Sequence, residues 1–203
     1  MIDVKELSAV ELDALREVAS IGAGHAATAL SEMTGSTIMI AVPRITIARM
    51  DDIPSEIAMG TEPVVAVHMD MLGDLTGRTL LLFPRDVALR LAALMLRRPE
   101  PARELGALEA SAIKEAGNIL CGAYMNALSE FLAITLLPSP PTLAVDSSAA
   151  VIASSPVFGA SRDVIFAVET QFFLQDHGET LRGYFLLLPD VSSLESILGV
   201  LRI

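Results

Sequence analysis

Ser111-Ala-Ile-Lys-Glu-Ala-Gly-Asn-Ile-Leu-Cys-Gly-Ala-Tyr-Met-Asn-Ala-Leu-Ser-Glu130 decides the fold, because a version of it occurs twice. Leu15-Arg-Glu-Val-Ala-Ser-Ile-Gly-Ala-Gly-His-Ala-Ala-Thr-Ala-Leu-Ser-Glu32 matches Ile113–Glu130 without a gap, at a constant offset of 98 residues. Seven of the 18 positions are identical: Glu17/Glu115, Ile21/Ile119, Gly24/Gly122, Ala29/Ala127, Leu30/Leu128, Ser31/Ser129 and Glu32/Glu130. Leu/Ile and Arg/Lys exchanges begin both segments. Self-similarity at one long period marks an internal duplication. Two copies are too few for a solenoid, so they predict one domain with a pseudo-twofold axis. The repeats run over about 8–98 and 106–203, joined by Arg98-Pro-Glu-Pro-Ala102, and 1–203 reads as a single domain.

The repeated segment reads as a helix. At about 100° per residue, Ser111, Glu115, Asn118 and Gly122 fall within about 60° of arc, and Asn126 and Ser129 extend the same stripe. The opposite arc carries Ile113, Ala116, Leu120, Ala123, Tyr124, Ala127 and Phe131, an apolar face for a core. The polar stripe is unusual, with a carboxylate, an amide and a glycine in place of long charged side chains. Glycine inside a helix costs about 0.5–1 kcal/mol relative to alanine. Gly117 and Gly122 therefore call for something that approaches the backbone closely. Cys121 is placed on the helix flank, as core or flank filler.

The rest of the chain repeats in the same order. Ser8 and Asp13 are candidate caps for a first helix ending near Met33. Thr37–Val42 and Arg44–Arg49 read as strands broken by Pro43, and Asp51–Gly60 as a turn or short helix. Val64–Asp70 and Arg78–Phe83 form a hairpin, and Pro84 opens a helix over 85–97. The second long helix covers about 106–131. Short strands over 134–137 and 143–146 follow, then a short helix over 147–153. Val164–Leu174 and Thr180–Leu188 form a second hairpin, and a last helix runs to about Leu201. Hairpins of this length predict an α+β fold: an internally duplicated antiparallel sheet with two long helices and smaller helices packed on it.

Composition bounds the function. Of 203 residues, 52% are apolar, enough for a sizeable core, and 25 acidic against 14 basic residues give a net charge of −11. That balance argues against nucleic acid and against an anionic membrane surface as partners. A single cysteine excludes an intramolecular disulfide. The N-terminus lacks a signal-peptide pattern and no apolar run is long enough to span a bilayer, so the chain reads as cytoplasmic. His25, His68 and His177 stand apart without metal-ligand spacing. Ile21-Gly-Ala-Gly24 sits inside a helical pattern, not after a strand, and lacks the third glycine of a dinucleotide loop. Its glycines read as sites of close helix packing or of approach by a partner.

A Ser-x-x-x-Glu-x-x-Asn pattern is weak by itself. Together with the duplication, the Asn-Ile-Leu-Cys-Gly continuation, the run from Glu17 through Ile21-Gly-Ala-Gly-His-Ala-Ala-Thr-Ala29, and Pro140-Pro-Thr-Leu-Ala-Val-Asp146, it closely resembles the CheC family of chemotaxis phosphatases, which includes CheX and FliY. The resemblance covers nearly the whole chain and lies closest to CheC. It implies a two-component signalling hydrolase that removes the phosphoryl group from the aspartyl phosphate of the response regulator CheY. Ser111, Glu115 and Asn118 fill the family's site positions. The Asn is inserted into the receiver's active site to orient the attacking water, and the Glu contacts the receiver's active-site lysine. An acyl phosphate is already activated, so catalysis is largely positioning and charge stabilisation. A neutral amide offers both donor and acceptor, where a carboxylate would repel the phosphoryl oxygens. On the same resemblance Gly117 and Gly122 would leave room for the receiver surface, and no cofactor is expected in this chain, the metal belonging to the receiver.

The first copy departs from the pattern. Asp13 and Glu17 are followed by Ser20 where the family has Asn, and a serine hydroxyl is too short to span the same distance. That copy reads as a degenerate second site, weak or dead in catalysis. The resemblance also implies a docking segment for the receptor deamidase CheD after the Pro-Pro-x-Leu-x-Val-Asp run, with Asp146 the matching residue and 146–153 the segment. The alternatives to a phosphatase are therefore a weakly catalytic or non-catalytic binding module regulating CheD, and a flagellar-switch adaptor. The adaptor expects a further C-terminal domain, and the sequence runs to Ile203 without one.

Overall fold

The computed structural model describes residues 8–49, 63–153 and 164–201. The elements are α1 (Ala9–Thr34), β1 (Ile38–Arg49), β2 (Val64–Gly73), β3 (Gly77–Pro84), α2 (Arg85–Met95), α3 (Ala107–Leu132), β4 (Leu136–Pro138), β5 (Thr142–Asp146), α4 (Ser148–Ala153), β6 (Val164–Leu174), β7 (Glu179–Pro189) and α5 (Val191–Leu201). The turn or short helix expected over Asp51–Gly60 lies outside the described residues.

Local chemistry fixes the long helices in register with each other. The Ser8 hydroxyl accepts the Glu11 N–H at 3.3 Å while the Glu11 carboxylate accepts the Ser8 N–H at 2.5 Å, a capping box that starts α1. Asp13, the other candidate cap, lies inside the helix. At offset 98, Gly106 and Glu109 keep half of that box, the Gly106 N–H donating to the Glu109 carboxylate at 3.1 Å. Both helices are 26 residues long, and both end on a left-handed residue, Gly35 at φ 73° and Ala133 at φ 55°. Each is followed by a serine clasp. The Ser31 hydroxyl lies 3.0 Å from the Ile38 N–H that donates to it, and the Ser129 hydroxyl donates to the Ile134 carbonyl.

The sheet interlocks the two repeats. Its order is β1-β6-β7-β3-β2-β4, with β5 also on β2, and every described pair is antiparallel. The leading strand segment of each repeat leaves its own hairpin and joins the other's: β1 pairs with β6, and β4 and β5 with β2. The two hairpins meet at β3 and β7 in the centre. Matching side chains fasten the exchange at both ends. Asp176 accepts the Thr37 N–H at 2.7 Å, and Asp74 accepts the Thr135 N–H at 2.8 Å. Pro43 does not end β1 as expected. The strand runs through it with a register shift between Ala41 and Arg44, because a bulge removes the need for the N–H that proline lacks.

Both sheet faces are covered. Val65, Val67, Met69 and Met71 of β2 point into the core under α1 and α3, which α2 and α5 extend through Leu91 and Ile197. Val64, Ala66, Leu80, Leu82, Leu186 and Leu188 point the other way and bury with Val151 of α4. Two-sided burial explains why Leu80-Leu-Leu-Phe83 is apolar without alternation. Among the described residues no helix is long and apolar enough to cross a membrane.

Candidate docking face on the long helices

α3 is held firmly from below. Ile113, Ala116 and Leu120 are fully buried, the Tyr124 ring stacks on Phe185 at 4.7 Å, and its hydroxyl lies 3.2 Å from that of Thr170. Burial pushes the Tyr124 phenol up to about 12, the Thr170 hydroxyl pulling the other way, so it stays protonated and hydrogen-bonded. Cys121 lies on this buried side, so of the two filler roles it takes the core one. Its sulfur lies 3.1 Å from Thr79 Oγ1 and 3.4 Å from Met125 Sδ. Burial pushes its thiol up to about 11, against the Thr79 hydroxyl, which keeps it inert. Phe131, assigned to the apolar arc, is 40% exposed, although Leu128 and Leu132 beside it are buried.

On the outer side of α3, Ser111, Glu115 and Asn118 are all exposed, Glu115 and Asn118 one turn apart. Among the described residues no hydrogen bond or ion pair engages these three side chains. On α1, Asp13, Glu17 and Ser20 are exposed at the matching positions. Here two of the three polar groups, those of Asp13 and Ser20, are used internally. The Asp13 carboxylate accepts from Arg16 Nη1 at 3.0 Å, and the Ser20 hydroxyl donates to the Arg16 carbonyl one turn back at 2.8 Å. The two trios therefore differ in reach and in availability.

The helix glycines divide into two kinds. A Cβ on Gly117 would lie 2.7 Å from Val67 Cγ1, and one on Gly22 would lie 2.9 Å from Tyr124 Cα. These two let α3 press onto β2 and α1 onto α3. Gly117 thus serves the interior, against the expectation that it faces a partner. A Cβ on Gly24 or Gly122 would meet nothing within 4 Å outside its own helix turn. No contact within the chain requires glycine there, although glycine weakens a helix by about 0.5–1 kcal/mol relative to alanine. The sequence left Gly22 and Gly24 open to helix packing or to approach by a partner, and their surroundings separate them: Gly22 packs against α3 and Gly24 faces open space.

Asp146 is exposed at the end of β5, and its carboxylate accepts the Ser147 N–H at 2.7 Å. Its neighbour Val145 is 47% exposed, whereas Val151 of α4 is 1% exposed and belongs to the core. The three histidines remain apart: His25 outward on α1, His177 in the β6–β7 turn, and His68 half-buried on β2. Burial, then Arg78, lowers the His68 imidazole against the opposing Asp70.

The sequence profile of the CheC-like family matches residues 10–47 and 108–145, one match on each long helix and the strands after it. The chain is 31% identical over 191 residues to the CheY-P phosphatase CheC of Bacillus subtilis, covering 92% of this chain and 91% of that protein. The chain belongs to the CheC-like family. This CheC-like chain is also 29% identical over 143 residues to the flagellar motor switch phosphatase FliY of Bacillus subtilis, covering 68% of itself and 36% of that protein. Its fold matches the crystal structure of Thermotoga maritima FliY with a TM-score of 0.80 at 24% identity, over 97% of this chain and 98% of that one. The FliM middle domain of Helicobacter pylori shares the fold at a TM-score of 0.66 and 17% identity, over 96% of this chain and 99% of that one.

Proposed function

We propose that this CheC-like chain is a chemotaxis phosphatase that hydrolyses the aspartyl phosphate of a CheY receiver, working from α3. The observation that carries the reading is the pair Glu115 and Asn118: exposed, one turn apart on a helix anchored by its buried side, and engaged by nothing among the described residues. The Asn118 amide enters the receiver's site and orients water in line with the leaving carboxylate oxygen. The phosphorus–oxygen bond to the aspartyl oxygen breaks, water supplies the new oxygen, and inorganic phosphate and the free aspartate result. Glu115 pairs with the receiver's lysine and sets the angle of approach. Ser111 sits one turn before Glu115 and borders the docking site. The divalent metal is the receiver's, so the reaction asks no cofactor of this chain.

The test is the rate of phosphate loss from a phosphorylated CheY receiver with wild type and Asn118→Ala side by side. The reading predicts acceleration by wild type and a loss of about a hundredfold in the variant, the usual scale for removing one positioned polar group. Acceleration that survives the substitution contradicts it. Exposure of Val145 and Asp146 at the sheet edge favours a second reading, in which the chain also binds a CheD deamidase there. Asp146→Arg would then abolish co-purification with CheD and leave receiver dephosphorylation intact; unchanged CheD binding contradicts this reading.

A further inference from the structure

We propose that Lys114 is a specificity-determining residue of the α3 site: its ammonium pairs with the phosphoryl oxygens of the receiver and so selects the phosphorylated form. This deepens the phosphatase reading of α3 and rests on it.

Lys114 is the one cation that α3 carries, in a helix that also holds Glu109, Glu115 and Glu130. It directly precedes Glu115 and comes one turn before Asn118. At about 100° per residue it lies about 40° from Asn118 and about 100° from Glu115, so the amide sits between the cation and the carboxylate. Lys114 is half-buried, while Glu115 and Asn118 are exposed. A lysine in that setting lays its methylene stem along the helix flank and keeps the ammonium at the surface. Among the described residues no carboxylate or other group engages that ammonium. The repeat supplies the contrast. At offset 98 the matching cation is Arg16. Its guanidinium is neutralised by the Asp13 carboxylate at 3.0 Å, three residues back. In α3 the position of that carboxylate is taken by Ser111, which carries no charge. The same position therefore holds a neutralised cation in α1 and an available one in α3.

Charge decides what the ammonium meets. An aspartyl phosphate presents anionic oxygens, and a chain of net charge −11 repels them as a whole, so the attraction that holds them has to be local. With Glu115 pairing the receiver's lysine on one side of Asn118, Lys114 on the other side faces the phosphoryl oxygens. An ammonium suits that task, being a compact charge with three donors on a flexible stem. The pairing has no counterpart in a receiver without its phosphoryl group. It is made on binding and kept through the transfer, so it lowers KM and leaves the chemical step to Asn118.

The test is isothermal titration of wild type, Lys114→Gln and Lys114→Arg with a CheY receiver in two forms, unmodified and carrying beryllium trifluoride, a non-hydrolysable stand-in for the aspartyl phosphate. Turnover of the phosphorylated receiver is measured beside it. Glutamine and arginine keep an apolar stem and match lysine in helix propensity, so the folds are retained, as circular dichroism would verify. The expected result is that Lys114→Gln binds the beryllium trifluoride form about fivefold more weakly, the scale of one surface charge pair, and binds the unmodified receiver as wild type does. In turnover KM rises by the same factor with kcat unchanged, and Lys114→Arg restores both readouts. Unchanged binding of the beryllium trifluoride form by Lys114→Gln, or equal weakening of both forms, overturns the proposal, and so does a fall in kcat at constant KM. These outcomes leave the phosphatase reading standing as long as wild type accelerates phosphate loss. If wild type itself gives no acceleration, the phosphatase reading falls first and this proposal with it.

Discussion

α1 and α3 are one helix written twice. They have the same length, a shared capping glutamate at Glu11 and Glu109, and the same left-handed ending. They part where chemistry would be done. α3 offers an exposed amide that nothing in the described structure occupies. α1 offers a hydroxyl returned to its own backbone, and a carboxylate at Asp13 held by Arg16. The difference is one bond of side-chain reach and an amide in place of a hydroxyl, set on helices of equal length with matching ends. Fold symmetry therefore does not carry side-chain symmetry with it: the repeat sets two helices at matching positions, and single residues decide which polar groups each one presents.

The sharpest break in the comparison lies beneath the helices. Gly117→Ala would drive a methyl group into Val67, and overpacking of this kind costs about 1–3 kcal/mol. The expected outcome is a clear fall in the urea midpoint; an unchanged midpoint would mean that α3 and β2 are less closely packed than the 2.7 Å approach implies. The helix endings come next. Gly35 and Ala133 hold the same left-handed conformation, which costs a residue with a side chain about 1–2 kcal/mol. Ala133→Gly should stabilise the protein and Gly35→Ala destabilise it, each by about 1 kcal/mol. Equal midpoints for both variants and wild type would break the equivalence of the two ends. Smallest is Gly122→Ala, which should raise stability by about 0.5–1 kcal/mol, since its Cβ meets only solvent. A loss of stability there would show that the glycine answers to the chain's own packing and not to a partner.

Much of this was legible in the sequence. The offset of 98 gave the two helices, and hairpin patterns gave an α+β sheet whose strands fall within a few residues of expectation. The exchange of first strands was not legible, because pairing partners leave no periodic mark. Thr37 and Asp176, whose hydrogen bond fastens one end of it, are 139 residues apart. Pro43 misled because proline forbids a ladder hydrogen bond but not a bulge. Gly117 misled for a related reason: a helical wheel assigns a direction to each residue but not the distance to the neighbouring strand. On the candidate site, Ser111, Glu115 and Asn118 were placed together by spacing alone, since three or four residues always return a helix to the same side. That Ser20 is occupied by its own helix required coordinates.

The central claim, that one amide separates an active repeat from a silent one, is tested most directly by exchanging the two residues. Receiver dephosphorylation would be followed for wild type, Asn118→Ser, and Asn118→Ser combined with Ser20→Asn. The account predicts that Asn118→Ser falls to the receiver's intrinsic rate and that adding Ser20→Asn brings activity back on α1. Near-wild-type turnover by Asn118→Ser alone would contradict it, because a serine in both repeats would then suffice.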